Sequence, residues 1–215
     1  MGNKKNTPRK KQPAAEHSGF RRTIAYHLTR FVVRLLAGAH ISPDAITWFG
    51  FIVNLGAAAL IITGHLFAAG FVVLFAGFFD MLDGAVARST NRITKFGGIL
   101  DSTLDRLSEA IVLLSIIYVY ATSNSIPGVL LVGLALVSSL LVSYIRSRAE
   151  ASGLKCEVGI FTRPERVIIL TIGLLLSGLI YALTISLVII VVFSSITIIQ
   201  RMVNVWQQTK NDPDS

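Results

Sequence analysis

Six apolar stretches follow one another through this chain, at residues 44–64, 67–88, 98–121, 127–147, 163–177 with a few residues beyond, and 183–205. A hydrocarbon layer about 30 Å thick is crossed by about 20 apolar residues in helical form, whereas soluble core helices carry apolar runs of roughly 10–14. With 53% hydrophobic and 15% charged residues among 215, and a mean hydropathy of +0.65, the chain reads as an all-α integral membrane protein with six transmembrane helices. The boundary between the last two is the weakest, because 177–186 carries no charge and no strong breaker.

The charges orient these helices. Lysines and arginines fall in the N-terminal tail, near the ends of the second and third helices, in the fourth-to-fifth connection and at the end of the sixth. The loops around His65, Ser123 and Tyr181 carry none. The positive-inside rule therefore puts both termini on the cytoplasmic side. The net charge of +8 is a topology signal; no soluble basic domain exists to bind nucleic acid. Residues 1–18 read as a disordered basic tail, and 19–38 as an amphipathic juxtamembrane helix, with Phe20, Ile24, Leu28, Phe31 and Leu35 at helical spacing between arginines. Residues 39–207 form one membrane domain and 208–215 a short tail. The first 19 residues lack the apolar core of a signal peptide, and Asn6 breaks the myristoylation pattern. Cys156 stands alone, which excludes an intrachain disulfide and a cysteine metal cluster.

Against this apolar background one stretch is out of place: FFDMLDGAVARSTNRITKFGGILDSTLDRLSEA. Asp80 and Asp83 lie three apart, and Asp101 and Asp105 four apart, spacings that put each pair on one helix face. On insertion scales each carboxylate at mid-bilayer costs about 2.5–3.5 kcal/mol. Such groups must face a polar cavity, and the cheapest neutraliser for clustered carboxylates is a divalent cation. Asp80 lies 13 residues beyond residue 67, about 20 Å along its helix, which puts it towards the cytoplasmic end. Gly84 and Gly97 would let a backbone or a nucleotide come close.

A second polar concentration occupies 143–166, SYIRSRAEASGLKCEVGIFTRPER. Arg146, Arg148, Arg163 and Arg166 flank the same cytoplasmic mouth, and Arg201 near the last helix's end can join them. Lysine would satisfy the positive-inside rule equally well. The preference for arginine points to forked contacts with phosphate. Ser42 and Pro43 have the form of a helix start, with Asp44 and Thr47 one turn inside, where they either cap the helix or meet a ligand. Carboxylates without nearby histidine or cysteine suit magnesium or manganese, with substrate phosphates completing the shell. This equipment suits phosphoryl transfer onto an alcohol, one substrate being embedded in the membrane.

The spacing Asp80-x2-Asp83-Gly84-x2-Ala87-Arg88-x8-Gly97-x3-Asp101-x3-Asp105 resembles the CDP-alcohol phosphatidyltransferase motif at all eight fixed positions. The stretches RAEASGL and RPER resemble the phosphatidylinositol phosphate synthase branch of bacteria and archaea. That resemblance implies transfer of the phosphatidyl group from CDP-diacylglycerol to 1D-myo-inositol 3-phosphate (L-myo-inositol 1-phosphate), with release of CMP, in the plasma membrane of a prokaryote. It implies two Mg2+ ions, or Mn2+, held by Asp80, Asp83, Asp101 and Asp105, with Asp105 also the general base. It assigns Asp44, Ala45, Ile46, Thr47, Gly84, Arg88 and Thr94 to CDP-diacylglycerol. Ser143, Arg146, Arg148, Arg166 and Arg201 would receive the acceptor phosphate, and a homodimer is expected.

Three alternatives compete. Glycerol 3-phosphate or free inositol could be the acceptor, and the donor could carry ether-linked chains. A divalent-cation transporter would need acids near mid-membrane open to both faces, away from arginines that repel the cation. An intramembrane prenyltransferase would carry its two aspartate motifs far apart in sequence, whereas here both lie in one helix hairpin.

Overall fold

The first of the described helices begins where the Ser-Pro pair predicts. Ser42 adopts an extended conformation and its hydroxyl accepts from the Ala45 N–H at 3.3 Å. Pro43, which lacks an N–H, opens α1 (Pro43–Ile62). The computed structural model describes residues 42–89 and 94–210, and their side chains apart from those of Pro43 and residues 81–89. The expected tail at 1–18, the interfacial helix at 19–38, residues 211–215 and the side chains of Asp83 and Arg88, with the surroundings of Gly84, lie outside what is described.

Five more helices follow: α2 (Leu66–Ser89), α3 (Lys95–Thr122), α4 (Ile126–Ala151), α5 (Arg163–Leu175) and α6 (Ala182–Lys210). Thr94 caps α3 by accepting from the Gly97 N–H at 2.9 Å. At the start of α5 the Glu165 carboxylate accepts from both the N–H and the hydroxyl of Thr162, at 2.8 and 2.6 Å. No strand occurs among the described residues.

The helices close into a ring. α1 packs on α2 and α3, α2 on α5, α5 on α6, α6 on α4, and α4 on α3. Its apolar seam includes Ala57, Ile61, Val73, Leu113, Ile116 and Leu174. The helix contacts at Gly128 and Gly173 are close enough to demand glycine. A Cβ on Gly128 would lie 2.3 Å from the Tyr120 ring, and one on Gly173 would lie 2.6 Å from the Ser186 hydroxyl. The Tyr120 hydroxyl is in turn hydrogen-bonded to Thr184 at 2.9 Å.

The outer surface is apolar. Ile52, Phe67, Phe71, Leu130, Ile180 and Ile185 are all exposed. In water a belt of this size would drive aggregation; against lipid it costs nothing. Among the described residues three helices are long and apolar enough to cross a membrane: Asp44–Ile62, Ile126–Ala151 and Ala182–Lys210. The apolar part of α2, Leu66–Asp80, is shorter. α5 is shorter than the expected 163–177: its 13 residues extend only about 20 Å. The chain turns after Leu175 because Gly173 lets the start of α6 press in, with Leu183 Cα 3.5 Å from where a Cβ would stand.

Candidate active site

The ring encloses a bore, and across it α3 faces α2 and α5. A cavity of about 420 Å³ opens there, lined by Thr47 and Asn54 of α1, Asp80 of α2, Asp105 and Glu109 of α3, and Arg163 and Arg166 of α5, over an apolar floor. Each polar residue sits there by helical periodicity. Asp101, Asp105 and Glu109 follow at four-residue spacing down one stripe of α3, a stretch of about 12 Å. Arg163 and Arg166 are three apart on the first turn of α5.

One carboxylate oxygen from each of Asp80, Asp101 and Asp105 lies within 4.8 Å of the others. At that separation two unit negative charges repel by at least about 3 kcal/mol even at an effective dielectric of 20. A cation or a shared proton relieves that repulsion. Here the cation is Arg163, whose Nη1 lies 2.6 Å from Asp80 Oδ2 and 2.5 Å from Asp105 Oδ2. One turn deeper, Arg166 forks onto Glu109: Nε to Oε1 at 2.7 Å and Nη2 to Oε2 at 2.8 Å. That pair is enclosed, with Arg166 and Glu109 side chains 1% and 8% exposed. Four carboxylates thus meet two guanidiniums, and counted as ionised groups they leave two negative charges over. An all-oxygen cluster with that surplus fits a divalent metal such as magnesium or manganese. Two buried donors, Arg163 Nε and Arg166 Nη1, have no hydrogen-bond partner among the described residues; a phosphate or hydroxyl oxygen would satisfy them.

The residues expected to meet the nucleotide divide. Asp44 is brought to the start of α3, its Oδ1 3.1 Å from where a Cβ on Gly97 would stand, close to the Thr94 cap. Ile46 and Thr47 are buried, and both line the cavity; Ala45 is exposed. Those expected to meet the acceptor phosphate divide as well. Arg166 is in the bore. Arg201 is 2% exposed and its fork is taken by backbone, Nε to the Val158 carbonyl at 3.0 Å and Nη1 to that of Val142. Arg146 is exposed and pairs with Glu150 at 2.8 Å; Arg148 is exposed and Ser143 half-buried. Arg201 also belongs to a row of α6 side chains that hold the 152–162 connector. Thr197 accepts from the Phe161 N–H at 3.2 Å, and the Gln208 amide exchanges hydrogen bonds with the Lys155 backbone at 3.2 and 2.6 Å.

Sequence reasoning missed Glu109 as a site residue and gave Arg163 no partner. The signal was present: a third acid in step with Asp101 and Asp105, set opposite two arginines three apart.

The family model described as CDP-alcohol phosphatidyltransferase matches residues 40–207. An archaetidylinositol phosphate synthase of Methanothermobacter thermautotrophicus is 41% identical over 185 residues, covering 85% of this chain and 92% of the relative. A phosphatidylinositol phosphate synthase of Mycobacterium tuberculosis is 38% identical over 186 residues, covering 83% and 86%. The crystal structure of the M. tuberculosis synthase with CDP-DAG bound superposes with a TM-score of 0.78 at 37% identity, over 84% of this chain and 94% of that one. The form of that enzyme in complex with manganese and citrate gives 0.77 at 38% identity, over 83% and 88%.

Proposed function

This chain belongs to the CDP-alcohol phosphatidyltransferase family and is a metal-dependent membrane transferase; from that premise we propose that its acceptor is 1D-myo-inositol 3-phosphate and its donor a CDP-activated diacyl or diether lipid. The observation that carries this reading is the bore itself, where three clustered carboxylates face two arginines with unsatisfied N–H groups. The names of the relatives support the acceptor, and they differ in the donor, one being an archaetidyl and the other a phosphatidyl enzyme.

In this reading Asp80, Asp101 and Asp105, with Asp83 one turn beyond Asp80 on α2, hold two Mg2+ or Mn2+ ions. When bound, the metal supplies Lewis-acid polarisation of the donor's diphosphate and neutralises the charge that builds on departing CMP. Asp105 takes the proton from the acceptor hydroxyl as its oxygen bonds to the lipid phosphorus, and the bond from that phosphorus to CMP breaks. Asp44, Ala45, Ile46 and Thr47 of α1, with Gly84, Arg88 and Thr94, meet the CDP-lipid. Arg166, helped by Ser143, Arg146, Arg148 and Arg201 around the same mouth, receives the acceptor phosphate.

The remaining architecture follows the same proposal. All six helices lie in the plasma membrane of a prokaryote, with the short α5 and the charged halves of α2 and α3 tolerated because they line a polar bore. The bore opens to the cytoplasm, the juxtamembrane helix at 19–38 rests on that face, and two copies assemble as a dimer. The deciding experiment is CMP release by detergent-solubilised protein. It would be given Mg2+ and either CDP-diacylglycerol or its diether analogue, with inositol phosphate, glycerol 3-phosphate or free inositol as acceptor. Turnover with inositol phosphate alone is expected; turnover with glycerol 3-phosphate alone would keep the aspartate chemistry and overturn the acceptor.

A further inference from the structure

With Asp80, Asp101 and Asp105 read as the metal ligands, Arg163 is held beside them in an unusual way. A single nitrogen, Nη1, serves carboxylates from two different helices, at 2.6 Å to Asp80 of α2 and 2.5 Å to Asp105 of α3. It occupies the centre of charge as a small cation would, without forking onto either partner. Arg166, three residues on, shows what a structural arginine does in the same bore: both edges of its fork are matched to one carboxylate. Arg163 leaves its buried Nε with no partner among the described residues. It also stands at the first residue of α5, where the N-terminal end of the helix dipole disfavours a cation. Among the described residues, the carboxylates of Asp80 and Asp105 are its ion-pair partners there.

We propose that Arg163 is the site's resident counter-cation: it stands between Asp80 and Asp105 while the site lacks metal, and the incoming divalent ion must compete with it. Two consequences follow. The three carboxylates stay close without metal, so the site is organised before it is loaded. The empty site also binds free metal weakly, so that occupancy comes to depend on the donor's diphosphate, which supplies further ligands.

The test is Mn2+ binding to the full-length, detergent-solubilised protein without lipid substrate, read from the spin-resonance signal of free Mn2+. A purely structural arginine would weaken binding when removed. Here Arg163→Gln is expected to bind Mn2+ roughly tenfold more tightly than wild type, and Arg163→Lys, which keeps the charge, to stay near wild type. Wild-type or weaker affinity in Arg163→Gln, or an equal gain in Arg163→Lys, would overturn the proposal. Failure of the wild-type protein to bind Mn2+ would sink the metal-site reading itself. Should Arg163→Gln not fold, peptide-resolved phenylglyoxal labelling of wild type decides. Labelling of Arg163 should rise with Mn2+ while that of Arg166 stays constant, and no change at Arg163 would refute the competition.

Discussion

Glu109 offers the sharpest test of the bore as drawn. In Glu109→Gln, Arg166 keeps its place at 1% exposure but loses the carboxylate that takes Nε and Nη2. The nearest substitute, Asp105, is one turn away and already shared with Arg163. Removing one partner of a buried ion pair costs about 3–5 kcal/mol, because the other charge is left uncompensated in a poor solvent. Glutamine still offers one acceptor, so Glu109→Gln belongs at the low end, and Glu109→Ala, which also opens a void, at the high end. For a chain of this size each kcal/mol moves the midpoint by about 2–4 °C, which predicts a loss of roughly 6–20 °C. The protein carries its own reporter: Cys156 is its single cysteine and is buried, so a thiol-reactive fluorogenic dye reads unfolding directly. The double change Glu109→Leu with Arg166→Met should recover most of that loss, since a buried pair replaced by apolar groups of similar volume is close to neutral. A midpoint within about 2 °C of wild type for Glu109→Gln, or a double variant as unstable as the singles, would refute the buried pair.

The chemistry and the scaffold give further outcomes. Asp105→Asn should lower the rate of CMP release by about 10²- to 10⁴-fold, the range for a positioned general base, while equilibrium binding of the CDP-lipid persists; near-normal turnover would remove Asp105 from that role. Gly128→Ala puts a methyl 2.3 Å from the Tyr120 ring and should cost about 1–3 kcal/mol, read with the same dye and relieved when Tyr120 is shortened to alanine. Arg201→Lys must surrender the carbonyl of Val158 or Val142, at about 1.5–3 kcal/mol for a charged hydrogen bond. Faster amide exchange across 152–162 would show the connector loosening, and a raised KM for the acceptor alone would favour direct phosphate contact.

What was legible in the sequence, and what was not, divides along the range of the interactions involved. Helix starts are local: Ser42 with Pro43, and Thr162 with Glu165, act across three residues and carry their geometry in their chemistry. The stripe of Asp101 and Asp105 is local too, because four residues on a helix is a fixed displacement. Pairing across the bore is not. Arg163 and Asp80 are separated by 83 residues, and Arg166 and Glu109 by 57, so no period relates them. Arg201 shows the same limit from the other side. Its chemistry suits phosphate, yet its fork is taken by two carbonyls that the return of the 152–162 connector and the second half of α4 bring to it. The shortness of α5 is likewise settled by contact, where Gly173 admits the start of α6.

That division explains why an apolar scaffold can carry so polar a centre. In lipid each isolated carboxylate on α3 opposes insertion by about 2.5–3.5 kcal/mol, so Asp101, Asp105 and Glu109 together weigh heavily against a single helix. Assembled, the same residues meet Asp80, Arg163 and Arg166, and no charge in the bore faces lipid alone. The helices that supply the charges of the bore, α2, α3 and α5, are those absent from the set long and apolar enough to cross unaided, whereas α1, α4 and α6 meet both conditions. Around the ring α1 sits between α2 and α3, and α6 and α4 lie side by side between α5 and α3, so each charged helix touches an apolar one. The apolar helices therefore provide the membrane anchor that lets the charged ones assemble a site, and the cluster of carboxylates gathered there suits a divalent metal.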